Sequence, residues 1–320
     1  MRKVIPLPQF LILVACLLVP SSLLLAQSTT APPAAPAAAT QPPAAQPGRG
    51  GLGLAPTAPQ APEEGMAAYP VPPEGFKTAR ENIPHGDLKV VEYDSKTLGL
   101  RRLMRVYTPP GYSADRKYPV LYLQHGFGNT STEWLRAGAA TIADNLLADR
   151  KIQPMIIVFP SGNATATASD EKQGDRNAAA YGTPYEDDLL KEIIPFVESH
   201  YAVFTDRAHR GIAGMSMGSG QALNIGLAHL DVFAWLAEVA AAPNTKPVAE
   251  LIPDPAALKQ LKLLWLGSGN RDPLLRINQG LHTFLVEKGV AHIWRLDRNA
   301  HDPNVMAANF YHFAQLLFKE

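Results

Sequence analysis

The sequence predicts an α/β domain, a mostly parallel central sheet with helices on both faces. Two observations carry that expectation. Short, continuously apolar runs recur beyond Phe76, with the length and character of strands buried on both faces. Segments with helical apolar spacing lie between them, as in a sheet whose crossovers are helices. The alternation continues to the C-terminus without an internal repeat, so a single domain is expected over residues 76–320.

Leu88 to Tyr93 and Leu100 to Tyr107 read as the first two strands, the second closed by Thr108-Pro109-Pro110-Gly111. Val120 to Leu123, Met155 to Phe159, Gly211 to Met215, Leu263 to Leu266 and His292 to Leu296 follow as buried strands. Helices are expected over 132–149, 184–201, 217–229, 274–288 and 304–318. The clearest is 184–201. Thr183 is placed to cap it, Pro184 suits its first position, and Glu186 completes a capping box. Leu189, Leu190, Ile193, Ile194 and Val197 line one face, and Pro195 should bend the helix.

Ahead of the domain, residues 1–26 read as a secretory signal. Arg2 and Lys3 precede the apolar run Phe10 to Val19, which resumes at Leu23-Leu24-Leu25 before Ala26-Gln27. Cleavage near Ala26 would make the protein secreted or periplasmic. Leu13-Val14-Ala15-Cys16 offers the alternative of a lipid anchor on Cys16. Pro20-Ser21-Ser22 interrupts the run, so no membrane span is expected in the mature protein. Residues 27–75 are rich in Ala, Pro, Gln and Gly, which predicts an extended, unpacked spacer. Gly48 to Gly53 matches G-x-G-x-x-G in form, but no strand precedes it and no helix follows, which argues against a dinucleotide site. Lys plus Arg and Asp plus Glu balance at 29 each, so there is no field to attract nucleic acid. Cys16 is the single cysteine, and its removal with the signal would exclude disulfides, thiol catalysis and cysteine-ligated metal.

The chemistry is concentrated in Gly214-Met215-Ser216-Met217-Gly218, where a predicted strand gives way to a predicted helix. Flanking glycines relieve the crowding of such a turn and leave the Ser216 hydroxyl at the carboxyl edge of the sheet. A serine nucleophile needs a base. Of the nine histidines, His301 falls in a loop after the last strand and so at the same edge. The orienting acid is assigned to Asp272, in the loop after Leu263 to Leu266, with Asp302 as competitor and Asp297 as a strand end. The oxyanion donors are the amides of Met217 and of Phe127, in the turn His125-Gly126-Phe127-Gly128, with His125 structural. No cofactor and no metal is implied. The stretch 161–182, rich in Ala, Asn and Thr, is expected to rim the site.

With these residues in view, the chain resembles carbohydrate esterase family 1, which groups feruloyl and acetylxylan esterases with relatives of S-formylglutathione hydrolase. IPHGDL at 83–88, YDSKTLG at 93–99, VYTPPGY at 106–112, KYPVLYLQHGFG at 117–128 and GMSMGSGQA at 214–222 carry the resemblance. KLLWLGSGNRD at 262–272 and FAQLLFK at 313–319 extend it. The resemblance implies an α/β-hydrolase fold with Ser216, Asp272 and His301 as nucleophile, acid and base. With the signal-like N-terminus, the expected protein is an exported serine esterase acting on a small-molecule or polysaccharide-linked ester, with acyl or hydroxycinnamoyl esters of plant polysaccharide the expected class. An acyltransferase of the mycolyltransferase type is the alternative. Two departures stand out. Asn299-Ala300 and Pro303 replace glycines and a tryptophan common around the histidine, and Glu238-Val239-Ala240-Ala241 stands where relatives commonly have a serine–glycine pair.

Overall fold

The computed structural model describes residues 54–164 and 182–319. The expected signal, Cys16 and the spacer as far as residue 53 lie outside the described residues, as does 165–181 of the expected rim. Eight strands form one sheet: β1 (Asp87–Ser95), β2 (Leu100–Thr108), β3 (Val120–Gln124), β4 (Ile156–Pro160), β5 (Arg210–Met215), β6 (Trp235–Val239), β7 (Leu263–Gly269) and β8 (Ile293–Asp297). Their order is β1-β2-β4-β3-β5-β6-β7-β8. β1, β2 and β4 pair antiparallel, and every pairing from β4 through β3 to β8 is parallel.

Alternate residues of the central strands feed two cores. Tyr122, Val158, Ile212 and Leu236 stand in register on one face, against Tyr185, Leu189 and Leu223. Leu121, Ile157, Ala213, Ala237 and Trp265 occupy the other, against Trp134, Ile142 and Phe310. Both faces are dry, which is why these strands read as unbroken apolar runs.

Three local differences from the sequence reading have clear causes. The helix expected over 132–149 is split into α1 (Glu133–Arg136) and α2 (Ala139–Ala148) by Gly138, whose φ of 98° only glycine adopts readily. The helix expected over 184–201 becomes α3 (Thr183–Asp188), a π turn (Leu189–Ile193) and α4 (Ile194–His200). Pro195 has no N–H to offer the preceding turn, and the wider π turn accommodates the break. Gly182 takes the N-cap position in place of Thr183, and Glu186 instead meets His229 Nε2 at 2.7 Å, so the capping box does not form. The third is β6, absent from the apolar runs because Glu238 interrupts it. Glu238 lies inside the strand, opposite Leu266, and is fully buried.

The expectation of an unpacked spacer up to residue 75 fails over its last part. Residues 54–75 lie against the outer edge of the sheet. Glu64 forms an antiparallel bridge with Leu296 of β8. Tyr69 packs edge-on against Trp265 with ring centroids 4.9 Å apart, and Arg295 Nε donates to Tyr69 O at 3.0 Å. His312 Nε2 meets Pro70 O at 2.6 Å. The composition argument counts apolar side chains, whereas this stretch is held chiefly by its own amides and carbonyls. The packed unit therefore begins before Phe76.

Candidate active site

β5 ends at Met215, and α5 (Met217–Ala228) begins one residue after Ser216. Ser216 takes φ 56° and ψ −117°, a conformation that is costly for any residue with a Cβ. Close approach of the flanking backbone enforces it. A Cβ on Gly214 would lie 2.1 Å from Gly218 O, and one on Gly218 would lie 2.5 Å from Gln124 O. Ser219 Oγ fastens the turn from below, bonding Gly214 O at 2.9 Å and Val239 O at 2.7 Å. The Met217 amide consequently opens the first turn of α5, where helix amides favour negative charge.

β7 and β8 bring in the other two groups. His301 Nδ1 lies 2.8 Å from Asp272 Oδ2, with the carboxylate fully buried. With Nδ1–H donating to the carboxylate, Nε2 is left as the proton acceptor. The second Asp272 oxygen, Oδ1, accepts Leu274 N–H at 2.7 Å, fixing the turn that leads into α7 (Leu275–Glu287). Among the described residues no hydrogen bond joins Ser216 to His301, and such contacts commonly tighten only when substrate binds. The competing acids are engaged elsewhere. Asp302 caps α8 (Pro303–Phe313) by accepting Asn304 N–H at 2.8 Å and Val305 N–H at 3.2 Å. Asp297 binds Arg295 Nη1 at 2.5 Å and Asn299 N–H at 2.9 Å.

The turn after β3 approaches the serine closely: a Cβ on Gly126 would lie 3.4 Å from Ser216 Cβ. Gly126 O accepts from His125 Nδ1 at 2.8 Å and from Asn129 N–H at 3.3 Å. In a trans peptide the next N–H, that of Phe127, points opposite to that carbonyl. Those two donors thus fix the direction of the candidate oxyanion amide. His125 is buried and its Nε2 accepts Gly162 N–H at 2.9 Å, so both ring nitrogens are bonded to backbone.

Two acids in the site were not found from the sequence. Glu133 accepts Gly126 N–H at 2.5 Å and Asn129 Nδ2 at 2.6 Å, bracing the turn from beneath, and burial raises its carboxyl above the usual range. Its only sequence signal is a carboxylate next to Trp134. Glu238 meets Asn278 Nδ2 at 3.1 Å behind Asp272, and burial pushes it up to about 8. No cluster of three or more His, Cys, Asp or Glu suited to a metal occurs among the described residues.

A family model described as "Putative esterase" matches residues 95–301, well over half of the chain. The chain belongs to this esterase family. Within it, the chain is 30% identical over 244 residues to an endo-1,4-beta-xylanase/feruloyl esterase of Xylanibacter ruminicola, covering 71% of this chain and 32% of that one. The chain thus spans about a third of the length of that curated relative. It is similar in structure to a carbohydrate esterase family 1 ferulic acid esterase from Anaeromyces mucronatus, with a TM-score of 0.70 and 27% identity over 78% of this chain and 96% of that one. An S-formylglutathione hydrolase of Staphylococcus aureus shares the fold, with a TM-score of 0.58, 18% identity, and coverage of 74% and 98%. The architecture is the α/β-hydrolase fold, and the kinship is with the carbohydrate esterase family 1 feruloyl esterases.

Two of the chain's departures from its family's usual sequence can be placed in the structure. Pro303 is the first residue of α8 behind the Asp302 cap, a position where its missing N–H costs nothing. Ala240 takes φ 56° immediately after β6, and its N–H donates to Gly267 O at 2.8 Å. Trp134 is sealed in the core, its Nε1 donating to Gln124 O at 2.7 Å and its ring facing Phe310. It cannot line an acyl pocket. Phe127 is half-buried and follows Gly126, which approaches Ser216.

Proposed function

We propose that this protein is an exported serine esterase that hydrolyses carboxylic esters through an acyl-enzyme. The observation that carries the reading is the Asp272–His301 contact of 2.8 Å at the sheet edge where Ser216 holds its strained turn. Ser216 Oγ attacks the ester carbonyl as His301 Nε2 takes its proton, and the Met217 and Phe127 amides receive the oxyanion. Asp272 stabilises the imidazolium; His301 then protonates the departing alcohol, and water releases the acyl group by the same steps. The substrate class is acyl or hydroxycinnamoyl esters of plant polysaccharide, supported by the xylanase/feruloyl esterase name of the Xylanibacter relative and by the ferulic acid esterase from Anaeromyces. Export rests on the signal-like residues 1–26. An acyltransferase reading has no comparable support, since the relatives above are named as hydrolases and esterases.

A fluorophosphonate probe should label the wild-type protein and fail to label Ser216→Ala. A probe that labels both variants equally would dispose of Ser216 as nucleophile. Methyl ferulate, acetylated xylan and short p-nitrophenyl esters should then be compared by kcat/KM, because discrimination lies in transition-state binding. With Pro303 in place of a tryptophan and Trp134 in the core, small or flexible acyl groups should be favoured over ferulate. A clear preference for ferulate at matched leaving group would reverse that expectation and mean that another side chain supplies the aromatic wall.

A further inference from the structure

The segment Thr57 to Glu64 crosses the loop that carries Asp272, and its contacts are concentrated there. Thr57 N–H donates to Arg271 O at 2.9 Å and Gln60 N–H to Asn270 O at 2.8 Å. Gln60 Nε2 reaches Asp272 O at 2.5 Å. In return, Arg271 Nε donates to Thr57 O at 3.2 Å and Asn270 Nδ2 to Ala61 O at 3.4 Å. Prolines stand at 56, 59 and 62, and the two donating amides at 57 and 60. That spacing of three is the turn of a polyproline II helix, which sets donors along one side and residues without N–H along another. Prolines also stiffen the free segment, so less entropy is lost when it docks.

The opposite side of the same loop rests on the segment that leads to His301. Asn270 N–H donates to Asp297 O at 2.6 Å and Arg271 N–H to Asn299 O at 3.1 Å. A Cβ on Gly269 would lie 2.2 Å from Asn299 O, so the two loops are in direct contact. The acid loop is therefore clamped between the proline segment and the histidine loop. Among the described residues β8 is the last strand of the sheet, with no further strand to hold this side.

We infer that Thr57 to Glu64 is a positioning strap for the catalytic acid, fixing the 270–272 loop so that Asp272 meets His301. The inference rests on the serine esterase reading above. None of the strap touches the reacting atoms; it acts through the loop backbone.

The test uses the full chain. Thr57→Pro/Gln60→Pro keeps an extended course but deletes both amide donors, and Gln60→Glu keeps the side-chain volume while replacing the donor to Asp272 O by an acceptor. Each should lower kcat on a p-nitrophenyl ester, by about tenfold for the double variant, with KM within about twofold. Placed in an Asp272→Asn background, the same changes should cost no further kcat, since they act through the missing carboxylate. Unchanged kcat in both strap variants, or a strap loss that repeats in full in Asp272→Asn, would overturn the strap. Near-normal turnover in Asp272→Asn itself would instead overturn the assignment of the acid, and the strap's role with it. Should the double variant fail to fold, Gln60→Glu carries the same comparison alone.

Discussion

The serine half and the acid half of the site are secured by different forces. Around Ser216 close backbone approach dominates, with Gly214 against Gly218 and Gly218 against Gln124 at distances that exclude a Cβ. Around Asp272 they are hydrogen bonds between segments remote in sequence, such as Gln60 and Asp272, 212 positions apart. The serine half occupies the middle of the sheet, with β3 and β6 on either side of β5. The acid half lies on β7 and β8, next to the open edge, and depends on a strap outside the strand order. A nucleophile is held in strain by crowding; an acid–base pair is held in register by directional bonds.

The largest effect expected falls on the acid half. Asp272→Asn should lower kcat on the order of 10⁴-fold with a native circular dichroism spectrum, because an amide favours the wrong imidazole tautomer and cannot stabilise the cation. Asp302→Asn is the contrasting change. Asn caps a helix about as well as Asp, so the bonds to Asn304 and Val305 should survive with turnover near wild type. If Asp302→Asn is the dead variant and Asp272→Asn the active one, the acid has been misassigned.

The serine half should respond in stability before specificity. Gly218→Ala would push a methyl against the Gln124 and His125 backbone, where α5 crosses β3. Overpacking of this kind costs about 1–3 kcal/mol, and the shift it forces would displace Met217 from the oxyanion position. Chemical denaturation and kcat should therefore fall together. A variant with wild-type stability and turnover would mean that the turn yields easily, and that crowding is not what holds the serine.

The same contrast explains what could be read from the sequence. The Ser216 turn was legible because the strand, glycines and helix that mark it lie within a few residues of one another. Asp272 and His301 followed from strand order, since both fall in loops at one edge. The strap was not legible. Residues 54–75 look like spacer by composition, and only the fold brings Thr57, Gln60 and Glu64 to backbone partners at 270, 271 and 296. Glu133 and Glu238 were missed for a related reason. A buried carboxylate breaks the apolar pattern that marks a core, and that pattern gives no sign of its partners, the Gly126 amide for Glu133 and Asn278 for Glu238.

Glu238 provides the smallest and most selective test, because it adjoins the acid half without belonging to its chemistry. Burial, with the nearby Asp272 charge adding to it, raises its carboxyl from an ordinary 4.5 to about 8, against the opposing pull of donors from Ala241, Gly267 and Asn278. The folded chain then keeps a proton that the unfolded chain releases. This contribution is fully present below about pH 4.5 and is lost progressively as the pH rises to about 8, so stability declines across that window. Glu238→Gln has the same shape and cannot ionise, so it should flatten the slope and make the variant the more stable protein near the upper end. The gain there should be on the order of a few kcal/mol, read from urea midpoints across the window. Turnover near neutrality should change by about twofold or less, since Asp272 and His301 keep their contact. An unchanged pH slope would mean that Glu238 is already ionised in the folded protein. Two negative charges would then stand side by side behind His301, and the acid half would be held against electrostatic strain as well as by its strap.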